Sequence, residues 1–482
     1  MYRFRWVFCQ LNALQRCYPP DLPRVLNELP KTLDETYEEI LKRIDDAQKD
    51  DTHRLLQCLT VAARPLRVEE IAELLVLDFQ TTSDGGVPTL REDWRWNDQE
   101  LAVLSMCSSL IAIVRNGDSQ VVQFSHFSVK EYLMSPRLAQ SRDVSRFHVD
   151  LNAAHTTLAQ ACLGTLLRLD KHAGKNGSKS LPLAKYAAQH WVEHAQFEDV
   201  SSRVRDGMDD LFDNSKPHFL AWLRTHDIMD MDESWDNFSN WQPSSVGSPL
   251  YYAAFCGFYD LAERLITKDP KQVNQAGGFF IAPLPAALSK RHFHVAELLR
   301  KHGADVDVRD QNAWTPLHAT TTQPENVDIT RWLLEHDANM NLQTHLRQTP
   351  LHHATHNADL ETVRVLLEYK LDIDLRDTKG HTPLQDILGY AGPSAESKVV
   401  EIVQQLLKSG ADPNTRRADG STPLHRASRY GLLEVTRLLL RYGANIDEKD
   451  EKGRTPFQVA LSHGHGEITQ LLVEHRASLR TR

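Results

Sequence analysis

The sequence predicts a mainly α-helical protein: a small helical domain with a short β wing, then a helical spacer, then a solenoid of repeated helix pairs. Three observations carry this prediction. A Thr-Pro-Leu motif, or a close relative of it, recurs seven times through the second half. A branched apolar helix pattern follows it at the same interval. In the first half, apolar residues at helical spacing give way once to two short extended segments flanking Asn116-Gly117-Asp118, a favoured hairpin turn.

The chain has 482 residues, enough for about three domains. With 41 % hydrophobic and 25 % charged residues it has the composition of a globular protein rather than a disordered one. The net charge is −10, nearly all of it in the first 240 residues, which makes that half a poor electrostatic partner for nucleic acid. The longest uncharged apolar stretch, 101–114, is too short to cross a bilayer and is interrupted by Ser105, Ser108 and Ser109. The opening Met1-Tyr2-Arg3-Phe4-Arg5-Trp6 does not read as a signal peptide. These features lead to the expectation of a cytoplasmic protein with no membrane partner. The six cysteines are scattered without a Cys-x-x-Cys pair, so they read as small buried residues rather than a zinc site or disulfide framework.

The prolines of the recurring motif (249, 283, 316, 350, 383, 423 and 456) lie 34, 33, 34, 33, 40 and 33 residues apart, so one unit carries an insertion of about seven residues near 389–398. Thr suits a helix N-cap, and Pro at the first helical position loses no hydrogen bond. Second helices follow as Val295-Ala296-Glu297-Leu298-Leu299, Val363-Arg364-Val365-Leu366-Leu367 and Val435-Thr436-Arg437-Leu438-Leu439. Gly303 and Gly443 end two of these, and Gly410 ends a further one at 402–407, where a positive φ is needed. Period, motif and helix pattern together resemble the ankyrin repeat, with about seven units over residues 245–482. The resemblance implies protein binding through finger tips and a concave helix face, with no catalytic site and no cofactor.

Gly380, Gly420 and Gly453 stand two residues before Thr, where the finger turn needs positive φ. Ala313 and Arg347 hold that slot in two adjacent fingers, whose turns must then be strained or reshaped. These two fingers carry Trp314, His345 and Arg347, and the fingers beyond them carry Lys379, His381, Arg416, Arg417 and Arg454. All eight are candidate protein-binding residues; simple local turn variation accounts for the two departures equally well. The His352-His353-x-x-His356 cluster suggests a metal, but His318, His352 and His425 share one motif position that tightens a helix start, and no carboxylate or Cys completes a site nearby in the sequence. No metal is expected.

In the first half, Thr32-Leu33-Asp34-Glu35 reads as a capping box. The helix it opens has Leu33, Tyr37, Ile40, Leu41 and Ile44 on one face. Helices are expected at 52–62, 68–77, 98–110 and 127–134, with strands at 111–114 and 120–124 and a loop over 81–96. Three helices, a two-stranded wing and a further helix make a winged-helix domain over 31–140. The spacer over 150–240 contains helices at 155–170, 181–197, 200–212 and 218–226, a loop at 171–179 and an acidic linker at 227–240. That linker lacks the Gly and Glu spacing of a calcium loop.

Leu29-Pro30-Lys31-Thr32-Leu33-Asp34-Glu35-Thr36-Tyr37, Arg64-Pro65-Leu66-Arg67-Val68-Glu69-Glu70-Ile71-Ala72 and Phe124-Ser125-His126-Phe127-Ser128-Val129-Lys130-Glu131-Tyr132-Leu133 resemble the region after the nucleotide-binding core of fungal NACHT/STAND proteins. Residues 1–30, with Phe4-Arg5-Trp6-Val7-Phe8, resemble a remnant of that core's lid helix and imply a partner supplied in trans. The winged helix is also of the kind labelled GPI inositol-deacylase-like. In NACHT relatives the histidine matching His126 faces the β-phosphate of ADP, which makes His126 a vestigial nucleotide sensor. The chain contains no Gly-x-x-x-x-Gly-Lys-Ser/Thr loop and no Gly-x-Ser-x-Gly elbow.

The reading that follows is a non-enzymatic scaffold or sensor: the ligand-recognition part of a fungal NACHT–ankyrin signalling protein. One alternative is a winged-helix nucleic-acid reader, against which the candidate recognition helix at 97–110 offers not one Lys or Arg. Another is part of an NTPase completed by a separate nucleotide-binding module.

Overall fold

The computed structural model of the chain describes residues 32–79, 86–91, 96, 98–117, 119–169, 181–225, 246–389 and 396–480. The expected lid-helix remnant at 1–30, the loop at 171–179, the acidic linker at 227–240, the insertion at 390–395 and much of the 81–96 loop lie outside the described residues. The described residues form two compact units. The first runs to residue 225 and includes Cys256–Leu265; the second holds 246–255 and everything from Ile266 onward. The segment Cys256–Leu265, assigned to the first repeat by its sequence, is thus counted with the first unit.

In the first unit, α1 (Leu33–Lys42) opens with the expected capping box. The Glu35 amide donates to Thr32 Oγ1 at 3.2 Å, and the Thr32 amide donates to the Glu35 carboxylate at 3.3 Å. Tyr37, Leu41 and Ile44 are buried, whereas Leu33 and Ile40 are only half-buried. The helices α2 (Lys49–Val61) and α3 (Val68–Leu75) follow, joined by β1 (Leu66–Arg67). A two-stranded sheet pairs β2 (Leu77–Asp78) with β3 (Thr89–Leu90). Then come α4 (Gln99–Cys107), β4 (Ile111–Asn116), β5 (Ser119–Phe124), α5 (Phe127–Leu133) and α6 (Pro136–Ala139).

The wing differs from expectation. Its strands pair antiparallel from Ile111↔Phe124 to Asn116↔Ser119, but Leu66 also pairs with Val122 and Arg67 with Val121, so the sheet has three strands in the order β1-β5-β4. Arg64-Pro65-Leu66 reads as a mere helix break because two residues are too few to show alternation. What holds that corner is Glu70, whose side chain is fully buried. Its carboxylate accepts from Arg64 Nη1 and Nη2 (2.9 and 2.7 Å), the Arg67 amide (2.8 Å) and Arg67 Nε (3.0 Å). Burial pushes its pKa up, but these donors outweigh burial and hold it below the usual range.

The spacer consists of α7 (Leu151–Leu166), α8 (Ala184–Ala195), α9 (Val200–Arg203), α10 (Arg205–Leu211) and α11 (His218–Thr225). On α7, Leu158, Ala161, Cys162, Thr165 and Leu166 form one fully buried face. On α8, Tyr186, Trp191, His194 and Ala195 are buried, whereas His190, Val192 and Phe197 are only half-buried. Trp191 decides the rotation of α8, because its ring meets Trp222 at 5.4 Å and Phe258 at 5.4 Å. His194 is tolerated in the core because Tyr186 Oη and His155 Nδ1 lie 2.9 and 3.0 Å from its two ring nitrogens. Burial pushes His194 down to about 3, so its ring is neutral.

In the second unit, α12 (Pro249–Phe255), α13 (Tyr259–Lys268, beginning in the first unit), α14 (Pro283–Ser289), α15 (Phe293–Lys301), α16 (Pro316–Thr320), α17 (Val327–Glu335), α18 (Pro350–His356), α19 (Leu360–Leu367), α20 (Pro383–Ile387), α21 (Glu396–Lys408), α22 (Pro423–Tyr430), α23 (Leu433–Arg441), α24 (Pro456–Ser462) and α25 (Gly466–Arg480) make seven helix pairs among the described residues. All seven motif prolines open a first helix. From α16 onward, successive first helices pack on one another, and from α17 onward so do successive second helices. Gly303, Gly410 and Gly443 close α15, α21 and α23 with φ of 83°, 97° and 86°.

From the third unit onward, one side chain joins each unit to the next. The Thr315, Thr349 and Thr422 amides donate to Nδ1 of His318, His352 and His425 at 3.2, 3.1 and 3.2 Å. Each ring's Nε2 donates to a carbonyl of the following finger: Gln348 at 3.1 Å, His381 at 3.1 Å and Arg454 at 2.9 Å. An accepting Nδ1 assigns the proton to Nε2. Gln385 makes the same bridge, accepting from the Thr382 amide at 3.2 Å and donating to the Thr415 carbonyl at 2.8 Å.

Two predictions follow from this bridge. His318→Gln should leave stability within about 0.5 kcal/mol of wild type, whereas His318→Ala, which orphans a buried amide and a carbonyl, should cost about 1–3 kcal/mol in urea unfolding. The second concerns pH. Burial lowers all three rings, His318 to about 4, against an unfolded value of about 6.5. A depressed histidine stabilises the fold fully above its unfolded value, and that contribution drains as pH falls through the window from about 6.5 to 4. The Tm of the full chain should therefore drop between pH 7 and 4.5, and the triple substitution of His318, His352 and His425 by Gln should flatten that slope.

Candidate protein-binding surface

Five fingers share one hairpin geometry. Asp310, Thr344, Asp377, Arg417 and Asp450 each donate an amide to the carbonyl four residues on, at 2.9 to 3.0 Å. The fourth residue of each turn takes positive φ: 75°, 69° and 71° at Gly380, Gly420 and Gly453, and 60° and 57° at Ala313 and Arg347. The two non-glycine turns keep the shape and carry the strain, about 1–2 kcal/mol for each such residue.

The main chain joins the first three tips and, separately, the last two, and the Arg376 side chain links the two sets by donating to the Arg416 carbonyl. The His345 amide donates to the Asn312 carbonyl (3.1 Å), Thr378 to Leu346 (3.0 Å) and Glu451 to Asp419 (3.1 Å). Side chains add to this: the His345 ring bonds the Gln311 carbonyl at 2.9 Å, and Arg416 reaches Glu448 and the Lys449 carbonyl, both at 2.8 Å. The row is therefore a connected ribbon rather than five independent loops.

The structure divides the eight candidate residues. His345, Arg347, Lys379 and Arg416 are exposed on the tips. Trp314 is half-buried, its ring 4.5 Å from that of His353 on α18. Arg454 is half-buried and paired with Asp450 at 2.8 Å. His381 is a correction: it is only 8 % exposed, enclosed by Asp377, Asp386 and Arg417, so its ring has no free surface to offer a partner. Its slot, the residue before the capping Thr, faces the first helices rather than solvent.

Sequence reasoning missed Leu346, 61 % exposed at a tip between the two cationic positions. It also missed a line of side chains on the face shared by fingers and first helices: His353, Asp386 and Arg426. Each directly follows a bridging residue (His352, Gln385, His425), and that slot was the available signal. Burial pushes Asp386 up, but His356 and His381, 3.5 and 3.8 Å away, pull its carboxyl below the usual range. His353 is pushed down to about 3, by burial first and then by neighbouring histidines. Of the tempting histidine cluster, His352 is a bridge and the His353 ring packs tilted against that of Trp314. Among the described residues no group of three or more His, Cys, Asp or Glu is placed to hold a metal.

His126 lies in the first unit as the N-cap of α5. Its Nδ1 accepts from the Ser128 amide at 3.2 Å and contacts Ser128 Oγ at 2.6 Å, and Ser128 Oγ in turn meets Tyr37 Oη at 2.8 Å. The residue expected as a vestigial phosphate contact thus has a structural task tying α5 to α1. The helix α4 carries Glu100 and no Lys or Arg, and leaves Leu101 65 % exposed. No helix among the described residues is long and apolar enough to cross a membrane.

Arg347→Gly should raise stability by about 0.5–1 kcal/mol, since glycine takes φ of 57° without strain but adds freedom to the unfolded chain. A thermal melt unchanged or lowered by this substitution would count against strain in that finger.

Comparison with known proteins agrees with this architecture. The family description "Ankyrin repeats" matches residues 250–344, 322–390 and 393–482, and "GPI inositol-deacylase, winged helix domain" matches 40–145. The chain is 31 % identical over 296 residues to azaphilone pigments biosynthesis cluster protein L of Monascus ruber, covering 58 % of this chain and 61 % of that one. It is 33 % identical over 186 residues to human ankyrin repeat and SOCS box protein 16, covering 38 % of this chain and 40 % of that one. The chain thus spans less than two thirds of these relatives' lengths. The ankyrin repeat domain of Bcl-3 is 28 % identical, with a TM-score of 0.41, over 48 % of this chain and all of that one. Ankyrin repeats are present here, preceded by a winged-helix domain of the GPI inositol-deacylase type.

Proposed function

We propose that this chain is a non-enzymatic interaction protein whose ankyrin repeats bind a protein partner through the finger tips and the adjoining face of the first helices. The observation that carries this reading is the connected tip row, which presents Leu346 beside the exposed Arg347 and Lys379. A rigid ribbon loses little entropy on binding, and an apolar side chain flanked by cations is suited to a polypeptide surface. Two strained turns retained at the same place fit a surface selected for contact rather than stability.

More narrowly, the chain is read as the ligand-recognition part of a fungal NACHT–ankyrin STAND signalling protein acting in the cytoplasm. Support comes from the order of the matched regions, a winged helix followed by repeats, and from the Monascus ruber relative. In this scheme the winged helix and spacer relay the binding event, residues 1–30 belong with a nucleotide-binding module, and His126 is the trace of its phosphate contact. Nucleic-acid binding is disfavoured by the cation-free α4.

The test replaces three exposed tip residues at once: Leu346→Ser, Arg347→Glu and Lys379→Glu in the full chain. The expected result is at least a tenfold loss of partner recovered by crosslinking and affinity capture, with the thermal melt within 2 °C of wild type. Equal recovery by a folded triple variant would remove the tips from the binding surface.

A further inference from the structure

We infer that the face shared by α20, α22 and their fingers holds a preformed site for a carboxylate side chain of the partner, read by Arg417 and Arg426. This rests on the protein-binding reading above and names the chemistry that reading leaves open.

Arg426 is the observation that carries it. Its guanidinium lies 5.4 Å from the centre of the Tyr430 ring, one helical turn on. On its other side is Gly389, where even a single added Cβ would come within 2.2 Å of Arg426 Nη2. The guanidinium is therefore close to both an aromatic ring and bare backbone. Yet among the described residues the Arg426 side chain has no hydrogen bond and no ion pair, and its Nε is buried without a partner. A half-buried cation with its donors unsatisfied is costly. Burial first, and then the positive charge of Arg417, destabilises its charged form.

Arg417 is in a similar position. One of its terminal nitrogens donates to His381, the nearest carboxylate oxygen, on Asp419, is 3.8 Å away, and its Nε is also buried and unpartnered. Two of the nearby carboxylates are hydrogen-bonded, and the third, Asp386, faces two histidines while its Oδ2 is buried without a hydrogen bond. Asp377 accepts from the Lys379 and His381 amides, Asp419 accepts from Ser421, and Asp386 faces His356 and His381. Two guanidinium groups with spare N–H donors in a sheltered place match an oxyanion. The three aspartates decide which kind. Their negative charge repels a dianion more strongly than a single carboxylate, so a Glu or Asp side chain fits better than a phosphate. The open rim at Tyr430, 44 % exposed, and the adjoining tip row admit a polypeptide segment rather than a small enclosed ligand.

The probe is a fluorescein-labelled hexaglutamate peptide, titrated into the full chain at low salt and followed by anisotropy, with hexaglutamine and a phosphoserine peptide as comparisons. Hexaglutamate should bind, hexaglutamine should not, and free glutamate should compete. Arg426→Gln and Arg417→Gln should each weaken binding about tenfold or more, the loss of one charge-assisted contact. Gly389→Ala, which displaces the guanidinium without removing it, should weaken binding as well. Arg331→Gln, at an arginine of α17 already paired with Glu368 at 2.9 Å, should leave it within twofold. Binding that survives both Arg417→Gln and Arg426→Gln, or that is no tighter for hexaglutamate than for hexaglutamine, overturns the site. Tighter binding of the phosphoserine peptide overturns the carboxylate assignment. If the tip triple variant loses the partner while Arg426→Gln keeps it, this inference fails and the broader reading stands; if both keep it, the broader reading fails.

Discussion

The repeat half depends on one polar contact used over and over. A first helix needs an acceptor for the amide of its capping threonine, and a finger needs a donor for its inward carbonyl. A single neutral imidazole satisfies both, through Nδ1 and Nε2, and so ties each helix start to the next finger. Gln385 shows that the requirement is for an acceptor and a donor on one flat group, not for histidine chemistry. Apolar stacking supplies most of the stability, but stacking alone permits sliding. The bridge fixes the register between units.

That register has a consequence for function. Because each bridging side chain lies inside the stack, the residue after it is turned to the face beside the fingers. His353, Asp386 and Arg426 fall into line there from three different units. The same constraint puts the five finger turns in one ribbon, where even Ala313 and Arg347 must adopt the conformation that glycine takes elsewhere. Shape is held in common along the row, and side-chain identity is left free to vary at the tips and on the adjoining face.

The first unit follows different logic. It is held by a few buried polar groups set in an aromatic and aliphatic core: Glu70 gathering Arg64 and Arg67, and His194 between Tyr186 and His155. Tyr186 also accepts the Ala63 amide at 3.1 Å, so the spacer and the winged helix share one hydrogen-bonded core. His126 shows how a residue matching a family's ligand contact can have a structural task as well, capping α5 through Ser128.

What the sequence determined by itself was everything with local period or local chemistry. The seven proline-led helices, the glycine helix ends, the capping box at Thr32 and the hairpin around Gly117 all depend on residues within a few positions of one another. Tertiary structure decided the rest. The third wing strand exists only because Leu66 and Arg67 meet a partner about fifty residues away. The face of α8 was set by Trp191 finding Trp222 and Phe258, not by spacing along the helix. His381 went inside and Leu346 outside although both are finger residues, since burial depends on which neighbouring unit covers a side chain. Arg426 could not be singled out from sequence because what distinguishes it is the acceptor it lacks, and that is a property of the surroundings rather than of the chain.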